Sequence, residues 1–358
     1  MKVLFATIPQ PKNRFVIDLK EGIEQDAEVV WDHQIFWKCE GQFDIVHIHE
    51  PEYLSHEIEA LEYTSDIFPP DLWDKLETCL KYWSNCAKIV TTRHVQEPHV
   101  RKDIEFQKLY SLVFSYCSGV AHFANYSIGQ FKALYPGLNH IQHQVIPHHN
   151  YASLPIEVDR NQARKKLNIH PEARVMLVFG FVKEHEKKLI QDAFDAIPGD
   201  NKVLLAPGWK ILRPKIKWIR LREWVFKYKK WKASLNKQYR IDLGFIADTD
   251  AQFYCMAADF LLTPRIYELN SGNITFGFSF GMVVIGKDNA DIGEILKETG
   301  NPVFNVNSPG SVKRAVTQAL LLADQGYGKT NKELALREWG IDKIGLQYLQ
   351  LYKSVFQK

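Results

Sequence analysis

The sequence predicts an α/β fold made of two doubly wound, Rossmann-like domains that face each other across a cleft. Short apolar runs alternate with helix-length amphipathic stretches along the whole chain, as in parallel sheets covered by helices. This alternation starts again near residue 172, so the same architecture occurs twice. With 358 residues, 46% of them apolar, the chain can build two hydrophobic cores, and this composition excludes a disordered protein.

The first domain is predicted at residues 1–150. Each expected strand is a short apolar run, the pattern of a strand buried in a parallel sheet, and each expected helix has one apolar face. The strands are 2–8, 43–49, 88–94, 119–124 and 144–148, and the helices are 13–26, 71–86 and 103–116. The strand pattern then lapses between Pro147 and Arg174. Pro155 and Pro171 lie in this stretch, which we interpret as the domain boundary.

The second domain is predicted at residues 172–340. Ser311 is the expected N-cap of its helix at 311–324, and Gly326 is the expected stop. One or two further helices end the chain, and the one at about 341–358 could pack back on the first domain. The strands are 174–182, 202–206, 240–246, 259–264 and 282–286, and other helices are expected at 184–196, after 246 and from Asn273.

The formal net charge of +3 is unevenly distributed. Residues 209–240 contain twelve Lys and Arg and one acid, Glu223, so this segment carries +11 and the rest of the chain carries −8. A mildly acidic body argues against a general nucleic-acid binder and for one local electrostatic function of the basic segment. An insertion of about 30 residues between two strands is typically functional or mobile.

Apolar residues of this insertion recur at helical spacing, with lysines and arginines beside them. A basic helix with tryptophan on its apolar side suits an anionic membrane surface, where each cation contributes on the order of 1 kcal/mol. The alternatives are a helix packed on its own domain, a dimer contact, and binding of single-stranded nucleic acid, which the acidic body disfavours. The expected membrane contacts are Trp224, Lys227, Lys229, Lys230, Trp231 and Lys232.

Targeting and redox signals are sparse. The apolar run at the start of the chain is too short for a signal peptide, and no run approaches the roughly 18–20 apolar residues that span a bilayer. The five cysteines are odd in number and form no C-x-x-C pair, as expected of reduced thiols. We therefore predict a cytoplasmic protein that is peripheral at the inner face of the membrane.

Two polar segments follow strands of the first domain. HIHEPE (47–52) places His49 at the end of a strand and Glu50 in the loop beyond, where either could act as a base or bind a hydroxyl. Packing of a histidine under the sheet is the alternative. TRHVQEPHV (92–100) contains His94 and His99, but the proline between them and the lack of a suitably spaced carboxylate argue against zinc.

Two segments of the second domain could bind phosphate. The Ser-Gly-Asn sequence at 271–273 opens a helix, and the exposed N–H groups at such a start, together with the helix dipole, attract anions. An ordinary helix cap is the alternative. Gly180 ends the first strand of the domain and is followed by Lys183 and Lys187, which could neutralise a diphosphate or could form a solvated face.

These segments, in this order, resemble glycosyltransferases of the two-Rossmann-domain (GT-B) fold that make bacterial surface polysaccharides such as capsule, exopolysaccharide or O-antigen. The matching motifs are DIVHIHxPE, T-x-H-x-x-x-PH, IPHHNY, FGxxK and GFIxDxDxxxYxxAADFLLTPxxxxxNSGNxxxxxxxGxxVIG. The resemblance covers nearly the whole chain. The last motif is the most specific, because it fixes a strand, a loop, a helix and a second strand together.

The resemblance implies transfer of a sugar from a nucleotide-diphosphate donor to a lipid-linked or growing surface glycan. The diphosphate would lie at the helix start opened by Ser271, held by Lys183 or Lys187, and Glu268 would reach the ribose. The residues implied in donor binding are Gly180, Lys183, Lys187, Glu268, Asn270, Ser271, Gly272 and Asn273.

On the same resemblance, the first domain would bind the acceptor through His49 and His99, and His94 would lie beside the donor sugar. An inverting reaction needs a base that removes the acceptor hydroxyl proton, and Glu50 and His94 are the candidates for this catalytic role. A retaining reaction would not need a base in that role.

The chain departs from the pattern of retaining members at two positions. Glu268 fits the first position of their Glu-x7-Glu pair, but Phe276 occupies the second. Phe181 stands where an arginine usually follows Gly180. The stereochemistry is therefore unassigned, and two alternative functions stay open: a non-catalytic GT-B-like protein that binds a nucleotide or a sugar, and a nucleotide-sugar epimerase of the same fold.

No metal or other cofactor is expected, because a GT-B protein stabilises the leaving nucleotide diphosphate with a helix dipole and lysines. We therefore interpret Asp248 and Asp250 as helix-capping residues, not as a metal-binding D-x-D motif. The sequence at 328–330 imitates the end of a P-loop, but Ala323 replaces the required first glycine and a helix precedes it.

Overall fold

The computed structural model describes residues 1–11, 13–95, 101–211 and 218–357. The chain divides into two compact units, each built on a six-stranded parallel sheet. Unit 1 comprises residues 1–149, 268–270 and 339–358, and unit 2 comprises residues 150–267 and 271–338. The predicted fold class, α/β with two Rossmann-like domains, is confirmed by these two sheets.

Unit 1 alternates strands and helices as its hydrophobic pattern predicts. Its strands are β1 Lys2–Phe5, β2 Glu28–Trp31, β3 Ile45–Ile48, β4 Lys88–Thr92, β5 Cys117–His122 and β6 Gln142–Val145. Its first six helices are α1 Arg14–Glu24, α2 His33–Lys38, α3 His56–Leu61, α4 Pro70–Cys86, α5 Ile104–Ser115 and α6 Asn125–Leu134, with a 3-10 turn at Pro51–Tyr53. The sheet order is β2-β1-β3-β4-β5-β6.

Both faces of the sheet in unit 1 are covered. One face packs against α2, α4 and α5 around the fully buried Trp83. Local capping fixes where these helices begin: Pro70 starts α4, a position where its missing N–H costs nothing, and the Asp103 carboxylate accepts from the first backbone N–H groups of α5. The other face packs against α1 and residues 344–355 in a second hydrophobic cluster.

Unit 2 repeats the architecture. Its strands are β7 Arg174–Leu177, β8 Lys202–Ala206, β9 Tyr239–Ile241, β10 Phe260–Leu262, β11 Val283–Lys287 and β12 Val303–Phe304. Its helices are α7 Arg160–Lys166, α8 Lys187–Asp195, α9 Ile219–Leu235, α10 Asp248–Ala257, α11 Asn273–Ser279, α12 Ala290–Glu298, α13 Ser311–Asp324 and α14 Gly328–Glu338, with a 3-10 turn at Glu184–Glu186. The sheet order is β12-β11-β10-β7-β8-β9.

The strand order of unit 2 reverses direction between its two central strands. From β7 the chain proceeds to β8 and β9 on one side, and it then returns to β10, β11 and β12 on the other. The loops that follow β7 and β10 therefore diverge at the carboxyl edge of the sheet and leave a crevice there, which is where open α/β sheets bind ligands.

The last helix, α15 Ile341–Phe356, belongs to unit 1. It is joined to the sheet by a buried chain of hydrogen bonds: the Tyr352 hydroxyl lies 2.7 Å from His47 Nδ1, His47 Nε2 lies 2.9 Å from Thr92 Oγ1, and Thr92 Oγ1 lies 2.9 Å from the Tyr348 hydroxyl. Burial lowers the pKa of His47 to about 3. His47 is therefore a neutral structural group, the alternative raised for this strand in the sequence.

Several boundaries differ from the predictions. The strand expected at 240–246 ends at Ile241, and β2 and α2 were not predicted. The N-cap of α13 is Gly310, in a left-handed conformation with φ 71°, so the expectation that Ser311 caps this helix is wrong. The capping role given to the aspartates of α10 is also wrong, because Ala247 occupies the N-cap and no side chain caps the helix. The two aspartates lie in the first helical turn, where they complement the dipole.

Candidate functional site

The crevice of unit 2 is formed by the two segments that the sequence singled out. The loop after β7 contains Gly180, and the loop after β10 leads into α11. The side chain of Asn273 joins them, since its Nδ2 donates to the Phe179 carbonyl oxygen over 3.0 Å. Gly180 has φ +83°, a conformation that glycine adopts without strain. The structure thus brings together Gly180 and Asn273, which the sequence placed far apart.

The helix start at 271–273 is in place but short. Gly272 is the N-cap of α11, which has seven residues, and the Ser271 hydroxyl lies 3.1 Å from the Thr263 hydroxyl. The predicted lysines follow β7: Lys183 is half-buried, and the Lys187 ammonium forms a 2.7 Å ion pair with Glu184. Cations and N–H groups are thus grouped at one edge of the sheet, as an anion site requires.

Phe276, which stands where retaining relatives have a second glutamate, is buried in α11. Its ring stacks on Phe179 with centroids 4.5 Å apart and meets Tyr151 edge to face at 5.6 Å. The position is therefore filled by a packed aromatic ring in a hydrophobic contact and offers no carboxylate to a ligand.

Arg265 is a residue of this region that was not predicted from the sequence. Its guanidinium forms two hydrogen bonds, of 2.5 and 2.7 Å, to the fully buried carboxylate of Glu186, and a third, of 2.8 Å, to the Phe181 carbonyl oxygen. A Cβ placed on Gly180 would lie 3.7 Å from its Nη2. The loop after β7 lacks an arginine of its own, but the loop after β10 places one beside it. The position of Arg265 in the loop after β10 indicates the carboxyl edge of the sheet but not its contact with the loop after β7.

An apolar cavity of about 290 Å³ adjoins the same glycine, close to the lower limit of typical small-molecule sites. Its walls come from the loops after β7, β8 and β9, and Gly208 is needed at its base because a Cβ there would overlap the Gly180 carbonyl. The aromatic and aliphatic residues that line it include Phe179, Phe181, Phe245 and Ile246. The cavity has the size and character to hold one flat aromatic ring.

Two of the predicted donor residues, Glu268 and Asn270, lie in the segment that groups with unit 1. Asn270 Nδ2 donates to the backbone oxygen of His94 over 2.6 Å. The structure therefore brings Asn270 together with His94, the predicted neighbour of the donor sugar. His99, predicted to bind the acceptor, lies outside the described residues.

Four histidines of unit 1 surround the ring of Phe15 at the carboxyl edge of the sheet. The ring centroids of His49, His94, His148 and His149 lie between 4.4 and 5.1 Å from that of Phe15. Burial, and then the neighbouring imidazoles, lower the pKa of His49 well below its usual value. His49 and His94 meet edge to face at 5.2 Å, so these two predicted residues share one aromatic cluster.

Glu50 lies at the start of the 3-10 turn after β3 and is buried with two further acids, Glu52 and Glu62. The Tyr110 hydroxyl donates to Glu52 over 2.7 Å. Burial, followed by repulsion from the other two carboxylates, raises the pKa of Glu50 well above its usual value, and burial raises the pKa of Glu52 to about 7. Acids perturbed in this way are candidates for proton transfer near neutral pH.

The basic insertion forms α9, and its aromatic side is exposed. The rings of Trp224, Tyr228 and Trp231 follow one another along the helix, with centroids 6.0 and 5.8 Å apart. Part of the helix still meets its own unit, since Lys230 and Trp231 line a pocket with Tyr239 and Ile241. The stripe consists of Leu221, Trp224, Tyr228, Trp231 and Leu235, each between 47% and 65% exposed. The predicted contacts Lys227, Lys229, Lys230 and Lys232 are exposed beside it.

None of the helices among the described residues is both long and apolar enough to cross a bilayer.

The fold defines the structural class: the chain has the two-Rossmann-domain (GT-B) fold of solved glycosyltransferases. At the level of sequence, no protein-family model and no curated protein matches it. The solved structures that superpose on the chain are 12–15% identical to it in sequence, so their similarity shows the fold alone.

A sucrose-phosphate synthase from Thermosynechococcus elongatus superposes with a TM-score of 0.66 at 15% identity over 99% of both chains. Anabaena HepE in complex with UDP gives 0.66 at 15% identity over 99% of this chain and 100% of that one, and its complex with UDP-glucose gives 0.65 at 13% identity over the same shares. A glycosyltransferase from Rickettsia africae gives 0.63 at 12% identity over 100% of this chain and 99% of that one.

Proposed function

We propose that the protein is a glycosyltransferase that takes a sugar from a nucleotide-diphosphate donor. The observation that supports this most is the coincidence, in unit 2, of a helix start with nearby cations at the topological switch point and an apolar cavity beside it. Structures of the same fold, similar over their whole length, contain UDP and UDP-glucose. A nucleotide-sugar has the matching parts: a flat base, two phosphates and a sugar.

In this proposal the base enters the cavity beside Phe245, and the diphosphate lies against Gly180 and the helix start at Ser271. Lys183 and Arg265 supply positive charge, and backbone N–H groups of the short helix add partial charge. These groups stabilise the charge that grows on the leaving diphosphate, so the reaction needs no metal ion. We propose a hexose or related sugar, by analogy with the UDP-glucose complex of the same fold.

Unit 1 would supply the acceptor side of the reaction. In an inverting transfer, the acceptor oxygen forms a bond to the anomeric carbon, the bond from that carbon to the diphosphate breaks, and the hydroxyl proton passes to a base. Glu50 and His94 are the proposed bases, and His49 would contact the acceptor. Glu50→Gln and His94→Ala, measured for rate and for donor affinity, would identify the base as the variant that loses rate and keeps affinity.

The experiment for the proposal is a panel of UDP-, GDP-, ADP- and dTDP-sugars, followed for release of the nucleoside diphosphate. Turnover of one donor is the expected result. Ser271→Trp should abolish both binding and turnover because the indole fills the helix start. Ser308→Trp, in the loop between β12 and α13, should leave both unchanged. Donor affinity that survives Ser271→Trp would mean that the donor binds elsewhere.

A second candidate is a protein that binds a nucleotide or nucleotide-sugar without turning it over. The packed ring of Phe276, in place of a carboxylate, favours it. Tight binding of one donor with no release of nucleoside diphosphate, in the presence or absence of oligosaccharides, would support this candidate and reject the transferase.

We further propose that α9 brings the enzyme to an anionic membrane, where a lipid-linked or growing surface glycan is the acceptor. An exposed stripe of three aromatic rings beside lysines matches the composition of interfacial helices. Lys230 is held in a 2.8 Å ion pair with Asp242, so the test variant should leave that pair intact.

The test is therefore the triple variant Lys227→Glu, Lys229→Glu and Lys232→Glu in co-sedimentation with phosphatidylglycerol vesicles. Loss of binding is expected, because three favourable cations become anions. The matched control makes the same charge change at Lys165, Lys313 and Lys329, which are exposed elsewhere on unit 2. Equal binding of both triple variants would reject the membrane role of α9.

A further inference from the structure

A pocket of about 410 Å³ lies in unit 1, apart from the acids and histidines described above. Its walls are α2, the turn that opens α3, and the first two turns of α4. The first two of these follow β2 and β3, so the pocket lies at the carboxyl edge of the sheet. Its volume is within the roughly 300–1,000 Å³ of small-molecule sites.

Trp37 provides a flat apolar surface in this pocket. The indole is half-buried, and its Nε1 donates to the Leu54 carbonyl oxygen over 2.6 Å, which fixes the orientation of the ring. The exposed ammonium of Lys75 lies 5.4 Å from the ring centroid, so one face of the indole is turned toward the pocket wall that α4 forms. A ligand with a flat apolar face can replace this flexible side chain on the ring.

The remainder of the pocket is polar and balanced in charge. Within the part of the chain that the structure describes, Glu57 and Asp71 form no ion pair, and the buried Nδ1 of His33 has no hydrogen-bond partner. Two lysines, Lys38 and Lys75, line the pocket with these two acids, so its formal net charge is zero. Carboxylates accept two hydrogen bonds from adjacent hydroxyls, and His33 Nδ1, which lies 4.0 Å from Asp32 Oδ1 without a hydrogen bond, adds another site.

We propose that this pocket binds a neutral pyranose ring of a saccharide. The C–H face of the sugar would lie on Trp37, and its hydroxyls would donate to Asp71 and Glu57. A nucleotide or a free phosphate is disfavoured because the pocket has no net positive charge to offset its negative charge. The proposal extends the proposed function, since a second saccharide site on unit 1 would hold a part of the acceptor glycan away from the bond being formed.

The experiment reports from the pocket itself. The full chain, labelled with 5-fluorotryptophan, gives nine ¹⁹F positions, and the Trp37→Phe variant assigns the resonance of interest. Methyl pyranosides of glucose, galactose, mannose and N-acetylglucosamine are titrated, and at least one is expected to shift the Trp37 signal in a saturable way. The double variant Asp71→Asn, Lys75→Gln, both exposed, should weaken this sugar at least tenfold.

The matched control is Asp74→Asn, Lys81→Gln, which makes the same chemical change on exposed positions of α4 outside the pocket and should bind like the wild type. If no pyranoside shifts the Trp37 signal, or if both double variants bind equally, the proposal is wrong. This outcome is independent of donor turnover. A saccharide that binds at Trp37 in a protein without donor turnover would reject only the glycosyltransferase function. Donor turnover with no shift of the Trp37 resonance would reject only the saccharide site.

Discussion

The contact between Arg265 and Glu186 gives the sharpest test of how unit 2 holds its proposed donor loops together. The guanidinium lies on the loop after β10, and the carboxylate lies in the 3-10 turn that follows the loop after β7. The carboxylate is fully buried, and the arginine side chain is only 16% exposed. Arg265→Ala should therefore leave a buried charge without its main partner.

The size of the effect follows from that geometry. Removing one member of a buried ion pair costs about 3–5 kcal/mol, because the remaining charge stays desolvated. Glu186 keeps one hydrogen bond from the backbone N–H of Lys183, at 2.8 Å, so we expect the lower end, about 3 kcal/mol. With a urea dependence of about 1–3 kcal/mol per molar, the unfolding midpoint should fall by roughly 1–3 M.

Urea unfolding followed by circular dichroism measures this shift, and calorimetric titration with UDP measures the consequence for the loops. UDP affinity should fall at least tenfold if those loops bind the diphosphate. The double variant Arg265→Met, Glu186→Gln should recover most of the stability, because neither charge is left buried alone. Arg314→Ala, an exposed control, should change the stability by less than about 0.5 kcal/mol. A loss below about 1 kcal/mol for Arg265→Ala, or a double variant as unstable as the single one, would show that the buried ion pair does not stabilise unit 2.

Two further predictions concern buried groups of unit 1. Burial raises the pKa of Glu52 to about 7, so its contribution to stability is complete below pH 4.5 and is lost as the pH rises through 7. Glu52→Gln should remove about 3 kcal/mol of this loss of stability, measured by urea unfolding at pH 5 and pH 8. Tyr352→Phe removes the hydroxyl bonded to His47 Nδ1 and should destabilise the protein by about 1–3 kcal/mol in the same assay. Tyr348→Phe should destabilise it less, because Thr92 keeps its hydrogen bond to His47. If the two tyrosine variants are equally stable, the hydrogen-bond chain does not hold α15.

The fold could be predicted because parallel strands buried on both faces are continuous apolar runs, and such runs occur at regular intervals in this sequence. The predicted strand at 174–182 extended too far because Val178 and Val182 stay buried after the ladder ends at Leu177. The opposite error occurred at β2, an edge strand whose EVVW sequence is largely half-buried or exposed and therefore gives a weak signal.

The site could be predicted only where a local signal exists. Gly180 lies shortly after β7, and Ser271 stands at the start of α11, at the end of the loop after β10, so their place at the carboxyl edge was visible in the sequence. Arg265 and Phe245 could not be assigned to it, because they come from separate loops and meet the loop after β7 only through tertiary packing. Glu50 was identified as a candidate base, but its burial with Glu52 depends on the way the 3-10 turn folds.

That burial changes what Glu50 can do. The pKa of Glu50 is raised well above its usual value, and the neighbouring Glu52 has a pKa of about 7. Glu50 therefore retains a proton over part of the neutral range. In that form it donates a hydrogen bond and cannot accept a proton. If Glu50 is the base, the rate at low substrate must increase with pH as the acids ionise, and Glu50→Gln must be inactive at every pH. If His94 is the base, Glu50→Gln retains activity and the protonated acid serves as a hydrogen-bond donor to the acceptor. The activity of Glu50→Gln measured across the pH range therefore separates the two roles.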